Sequence, residues 1–214
     1  EVYQVEECVK EERTLTPQEE KRKAHFMKIQ EEMLAKGYKG ENLTVGTGKA
    51  NIMAIVVTIP IMLLCLIGYK MFYTDSMQNL KGVEFTFFVI VYIVSIPVHE
   101  FIHGLTWAHY CEKGWGAIQF GVIWKCITPY CTCDECLNYK QYKWGMLMPT
   151  LILGGISYIL ALLLGSDFLF KYSLLMILSG GGDIYMTFLI RRHKEAVFID
   201  HPYLIGCMAF KKDA

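Results

Sequence analysis

The 214-residue sequence has no surplus of charge of either sign, since 21 Lys and Arg balance 21 Asp and Glu. It also has no one-sided basic face, which argues against nucleic acid as a partner. Its eight cysteines lack the dense, even spacing of a small disulfide scaffold. They favour a reducing side or burial in a membrane. No internal repeat is present, and no signal-peptide pattern precedes the charged N-terminal tail. Charge is scarce over most of the chain, because residues 1–49 carry 19 of the 42 charged side chains. What remains is apolar. Several uninterrupted runs of about 20 apolar residues predict an integral protein of the lipid bilayer.

Taken in order, residues 1–16 are polar and acidic. Thr16-Pro17-Gln18-Glu19 reads as a helix start, with Thr16 as cap, Pro17 in the first turn and Glu19 as capping-box partner. The helix is expected to run to Ala35 and stop near Gly37. Phe26, Ile29 and Met33 share one face of it, which suits either the membrane surface or docking on the cytosolic side of the core. Residues 39–49 read as a glycine-containing linker. Four spans follow, at about 50–73, 85–107, 145–165 and 168–190. The loop between the second and third spans holds a β-type stretch, Gly116 to Trp124, expected to form a hairpin with residues 127–133. The expected fold is an all-α membrane protein of four transmembrane helices, with a cytosolic N-terminal amphipathic helix and this one small β-hairpin. Residues 1–49 form the cytosolic tail and helix, and residues 50–214 the membrane domain. Lys36, Lys39, Lys49, Lys113, Lys125, Lys140, Lys143, Arg191, Arg192 and Lys194 all fall on the side of the termini, against only Lys70, Lys81 and Lys171 on the other, which is expected to place both termini in the cytosol.

The stretch that carries chemistry is His99-Glu100-Phe101-Ile102-His103. No charged residue occurs from Phe85 to Val98, and the apolar character resumes at Leu105. On a helix, positions four apart share a face, so both imidazoles can aim at one point. Glu100 lies about 60° around the helix from His103. Two histidines and a Glu at this spacing form the H-E-x-x-H zinc signature. Ionisable groups at membrane depth cost roughly 2.5–3.5 kcal/mol each on insertion scales, which argues against a chance match. A catalytic zinc takes three protein ligands and keeps one position open. Asp183 lies 15 residues into its span, and His99 and His103 lie 14 and 18 residues into theirs, which matches them in depth. Gly180-Gly181-Gly182 precedes Asp183 and lets the fourth span approach the second or break locally. Asp200 and His201 are the alternatives for the third ligand. With Zn2+ bound by His99, His103 and Asp183, Glu100 is the expected general base for a zinc-activated water. The strand at 116–124 is expected to pair with an extended substrate.

These residues resemble the intramembrane zinc metallopeptidases of the site-2 protease type. More closely, the chain resembles small bacterial membrane proteins of a putative zincin peptidase family of unknown function. The resemblance rests on His99-Glu100-Phe101-Ile102-His103-Gly104, Thr128-Pro129-Tyr130-Cys131 before a Pro149-containing span, Gly182-Asp183, and Asp200-His201-Pro202. It implies a protein of the bacterial cell membrane that hydrolyses membrane protein or peptide substrates. Asp183 would stand where site-2 proteases carry an Asp ligand, although Gly182-Asp183-Ile184 replaces the usual Leu-Asp-Gly.

Two other readings compete. Cys126, Cys131, Cys133 and Cys136 lie within a short stretch and offer a structural metal or redox site, although their spacing is not that of a zinc ribbon. Alternatively, the chain is a non-proteolytic transporter or scaffold in which the buried His, Glu and Asp serve a pathway or the fold.

Overall fold

The chain folds around a group of long apolar helices with two small sheets at one end. The computed structural model describes residues 17–74, 80–123 and 128–212. In chain order the elements are α1 (Pro17–Ala35), β1 (Tyr38–Asn42), α2 (Thr47–Phe72), α3 (Gly82–Tyr110), β2 (Ile118–Ile123) and β3 (Thr128–Cys133). There follow β4 (Leu137–Asn138), α4 (Tyr139–Pro149), a π-helical stretch (Thr150–Ile156), α5 (Ser157–Leu164), α6 (Asp167–Ser179), α7 (Gly181–Ile190), β5 (Val197–Asp200) and β6 (Cys207–Lys212).

Among the described residues, three helical segments are long and apolar enough to cross a membrane: α2, α3, and the continuous run Tyr139–Leu164. The pair α6 and α7 makes a fourth if its 46° bend is one broken span. Their outer faces are as apolar as their inner ones. Ile52, Leu64, Phe85, Ile93 and Leu163 are each more than half exposed. A helix that is hydrophobic all round belongs in a large core or in a bilayer. The prolines inside α2 and α3, Pro60 and Pro97, do not end either helix.

The third long helical run starts at Tyr139, earlier than the expected residue 145. Asn138 accepts hydrogen bonds from the amides of Lys140 and Gln141, and Gln141 returns one from the Asn138 amide. This capping box fixes the start of α4. At the far end Gly165, at φ +61°, closes α5, and the Ser166 hydroxyl caps α6. The turn between α5 and α6 is therefore tight.

The all-α expectation requires correction. Besides the expected hairpin of β2 and β3, the chain has a four-stranded antiparallel sheet in the order β1-β6-β5-β4. The supposed linker provides β1, and the residues after the expected fourth span provide β5 and β6. Local periodicity does not reveal strands of two to six residues, and the partner of β1 lies at the opposite end of the chain. Helix α1 lies on this sheet. Phe26, Ile29 and Met33 pack with Ile199, Met208 and Phe210, so the apolar face docks on protein. The Thr16 cap lies outside the described residues.

All the larger connections sit at one end. The starts of α2 and α4, the ends of α3 and α7, the hairpin and the sheet adjoin one another there, because each span reverses direction. The hairpin seats on α3 at Gly104, where a Cβ would come within 2.6 Å of the Phe120 ring.

Candidate metal centre and cavity

Helix α3 carries His99 and His103 one turn apart, and both are almost fully buried. The break at Gly180 starts α7 so that Asp183 falls in its first turn, facing α3. The glycines make this possible, although they meet different partners from those expected. A Cβ on Gly180 would strike the Thr150 hydroxyl at 1.8 Å, and one on Gly181 would lie 2.7 Å from the Ala54 carbonyl. The close approaches are thus to the π-helical stretch and α2, and it is the local break that turns the carboxylate toward α3.

Nε2 of His99 lies 3.1 Å from Asp183 Oδ2, and Nε2 of His103 lies 3.5 Å from the same oxygen. The ligand atoms of these three residues all fall within 4.8 Å of one another, and among the described residues no other group of three or more His, Cys, Asp or Glu does so. In a tetrahedral zinc site with bonds of about 2.0–2.1 Å, neighbouring ligand atoms are about 3.3 Å apart. The observed spacings fit that edge. Two imidazoles and a carboxylate are also a common donor set for catalytic zinc.

The surroundings hold His103 in one orientation. Its Nδ1–H donates to the Gly145 carbonyl at 2.8 Å, which leaves Nε2 as the free lone pair toward Asp183. Its ring stacks on Trp107, Trp107 on Tyr142, and Tyr142 on Phe198 of β5, so four rings run from the site to the sheet. The Tyr142 hydroxyl donates to Asp200, and the second oxygen of Asp200 accepts the Cys133 amide at 2.8 Å. These contacts join α4, β5 and the hairpin behind the histidines. Nothing in the spacing of Tyr142 and Gly145 announces them. A Tyr three residues before a Gly is no motif, and the link arises only when the spans pack.

His99, Glu100, His103 and Asp183 line one cavity of about 560 Å³, within the size range of ligand sites. The amide of Cys131 on β3 sits against the Glu100 carboxylate. Pro129, Tyr130, Cys131 and Thr132 of β3 also line the cavity, whereas no described residue of the 116–124 stretch does. The strand nearest the site is therefore β3, the partner of the one expected. Arg22 of α1, which sequence reasoning passed over, reaches the cavity too. It is 5% exposed and donates to the Tyr130 hydroxyl at 3.3 Å.

The alternative ligands lie apart from the cluster. Asp200 and His201 line the cavity but are not in the group of converging ligand atoms. Both oxygens of Asp200 are engaged as described, and burial pushes its carboxyl up to about 6. The cysteine site is not assembled by the described residues. Cys131 and Cys133 sit in one core cluster and Cys136 packs against another, while Cys126 lies outside the described residues. Burial raises the thiols of Cys131 and Cys133 well above their ordinary range, which disfavours the thiolate a metal needs.

No curated protein and no solved structure matches the chain. A family model described as putative zincin peptidase matches residues 92–198, from the middle of α3 through both histidines and Asp183 to β5. That match covers half of the sequence, and the chain belongs to the putative zincin peptidase family.

Proposed function

We propose that the protein is an intramembrane zinc-dependent metallopeptidase that hydrolyses peptide bonds of membrane proteins or membrane-associated peptides. The observation that carries this reading is the convergence of His99 Nε2, His103 Nε2 and Asp183 Oδ2 within helices whose outer faces are apolar. Leaving so much apolar surface in water would be costly, since each buried large aliphatic side chain is worth roughly 1.5–3 kcal/mol. A bilayer removes that cost. The end bearing both sheets is the cytosolic side, in line with the Lys and Arg distribution.

In this reading His99, His103 and Asp183 hold zinc. Bound there, zinc supplies Lewis acidity, which lowers the pKa of water and polarises the carbonyl under attack. Glu100, beside His99 and facing the same cavity, takes the proton of the attacking water and delivers it to the leaving amine. Gly145 keeps His103 oriented through the Nδ1 hydrogen bond. An extended substrate pairs along β3, whose Cys131 amide already lies beside Glu100.

Metal counting and a cleavage assay on the purified full chain test the proposal. Wild type is expected to hold one zinc, His99→Ala to lose it, and Cys131→Ser to keep it. Glu100→Gln should keep zinc and lose cleavage by about 10²–10⁴-fold. A stoichiometric zinc unaffected by His99→Ala would end the reading. Zinc in wild type and Glu100→Gln alike, with a cellular phenotype that Glu100→Gln leaves unchanged, would favour a scaffold or transporter instead.

A further inference from the structure

His201 stands in the turn between β5 and β6, and it is 4% exposed. Its own amide donates to the Gly206 carbonyl at 3.0 Å, which closes the turn. Its ring nitrogens are unequal. Nδ1 accepts the backbone amide of Leu204 at 3.0 Å and that of Tyr203 at 3.4 Å. A nitrogen that accepts from two amides carries no proton, so the proton of the neutral ring is on Nε2. Among the described residues no protein group accepts that Nε2–H. The ring is fixed by Phe26 of α1 at 5.4 Å, tilted, and by Tyr203, edge-on at 4.7 Å. It lines the same cavity as His99, Glu100, His103 and Asp183.

We propose that His201 presents its Nε2–H to the substrate and donates a hydrogen bond to a carbonyl oxygen of the bound peptide. This rests on the protease reading of the same cavity. A neutral N–H donor, held by its backbone and lacking a protein acceptor, suits an oxygen of a peptide backbone. Donation strengthens as that oxygen gains charge during attack, and a preorganised neutral imidazole is an effective donor for that purpose. Service as a metal ligand would need a lone pair at Nε2, which the two amides at Nδ1 deny.

Two substitutions separate this role from a purely structural one. In His201→Asn the side-chain oxygen replaces Nδ1 and keeps the turn, but nothing reaches the cavity. In His201→Gln the amide nitrogen stands near the Nε2 position, while the turn loses its acceptor. The probe is a phosphonamidate dipeptide, whose charged tetrahedral oxygen mimics the attacked carbonyl, titrated into the zinc-loaded full chain in detergent. Nitrogen NMR of histidine-labelled protein should report a protonated Nε2 and a bare Nδ1 for His201, and the Nε2–H resonance should move on binding. His201→Asn should weaken the dipeptide Kd by about ten- to a hundredfold, the range for one hydrogen bond to a charged group. His201→Gln should recover most of that loss, and zinc content should stay constant in both. An Nδ1-protonated ring overturns the inference alone, as does dipeptide binding that His201→Asn leaves unchanged. Wild type that holds no zinc, or holds it and binds no dipeptide, overturns the protease reading together with this inference.

Discussion

His103 donates its Nδ1–H to the carbonyl of Gly145 at 2.8 Å. The absence of a side chain at residue 145 is what permits this contact, because a Cβ there would come within 1.8 Å of the Trp107 indole nitrogen. Trp107 in turn stacks on His103. A methyl group at 145 must push either α4 or the indole away, and both movements loosen His103. Gly145→Ala should therefore weaken zinc binding by about 10–100-fold, the usual cost of losing such an orienting partner. Competition with a chromogenic chelator measures it. Unchanged affinity would show that the carbonyl does not orient the ligand.

The identity of the third ligand is open to direct comparison. Asp183→Ala removes the oxygen on which both Nε2 atoms converge, and zinc content should fall to a small fraction of wild type. Asp200→Asn should leave it intact. The asparagine can still accept the Cys133 amide with its oxygen and donate its amide hydrogen to the Tyr142 hydroxyl. Zinc loss in Asp200→Asn with retention in Asp183→Ala would reverse the assignment.

That the two histidines and Glu100 come together at one cavity is legible in five consecutive residues, because positions three and four apart share a helix face. Asp183 was legible in a weaker sense, since helix rise converts sequence position to depth when span directions are known. The hairpin followed from β-type residues in a loop. The four-stranded sheet did not, because β1 and β6 lie at opposite ends of the chain and each is short and largely polar at its exposed end. Neither strand alone carries a period that distinguishes it from linker. Which hairpin strand lines the cavity was hidden for a related reason. Both strands have β character, and only the seating of Phe120 against Gly104 decides which one lines the cavity of His99, His103 and Asp183.

The glycines before Asp183 give a paired test of packing. A Cβ on Gly181 would lie 2.7 Å from the Ala54 carbonyl, closer than real Cβ atoms come, and 3.0 Å from the Thr58 methyl group, whereas a Cβ on Gly182 would meet nothing within 4 Å. Gly181→Val should displace α7 from α2, at a cost of about 1–3 kcal/mol for an overpacked site. Zinc occupancy should drop with the thermal midpoint, because Asp183 moves with its helix. Gly182→Ala should keep both, as alanine favours a helix over glycine by up to about 1 kcal/mol. Equal behaviour of the two variants would refute the packing explanation for the glycine run.

The turn that follows β5 sets two neighbouring groups against each other as pH changes. Burial first, and then the positive charge of Arg22, holds the His201 ring down to about 4, against about 6.5 for an unfolded histidine. Between those values the unfolded chain binds the extra proton, so this contribution is complete above pH 6.5 and is lost as pH falls through about 4. Asp200 runs the other way. Burial raises its carboxyl to about 6, against about 3.9 unfolded, so the folded chain holds the extra proton. Its contribution is complete below the unfolded value and is lost as pH rises through about 6. The two windows overlap and the slopes have opposite signs, which leaves their combined effect on the wild-type thermal midpoint small between pH 4 and 6. Each substitution should unmask the other group. Asp200→Asn should give a midpoint that climbs from pH 4 to 6.5, and His201→Asn one that declines from pH 4 to 6. Thermal unfolding of the three proteins in one detergent across that range provides the measurement. Parallel curves would mean that neither group titrates differently in the folded chain.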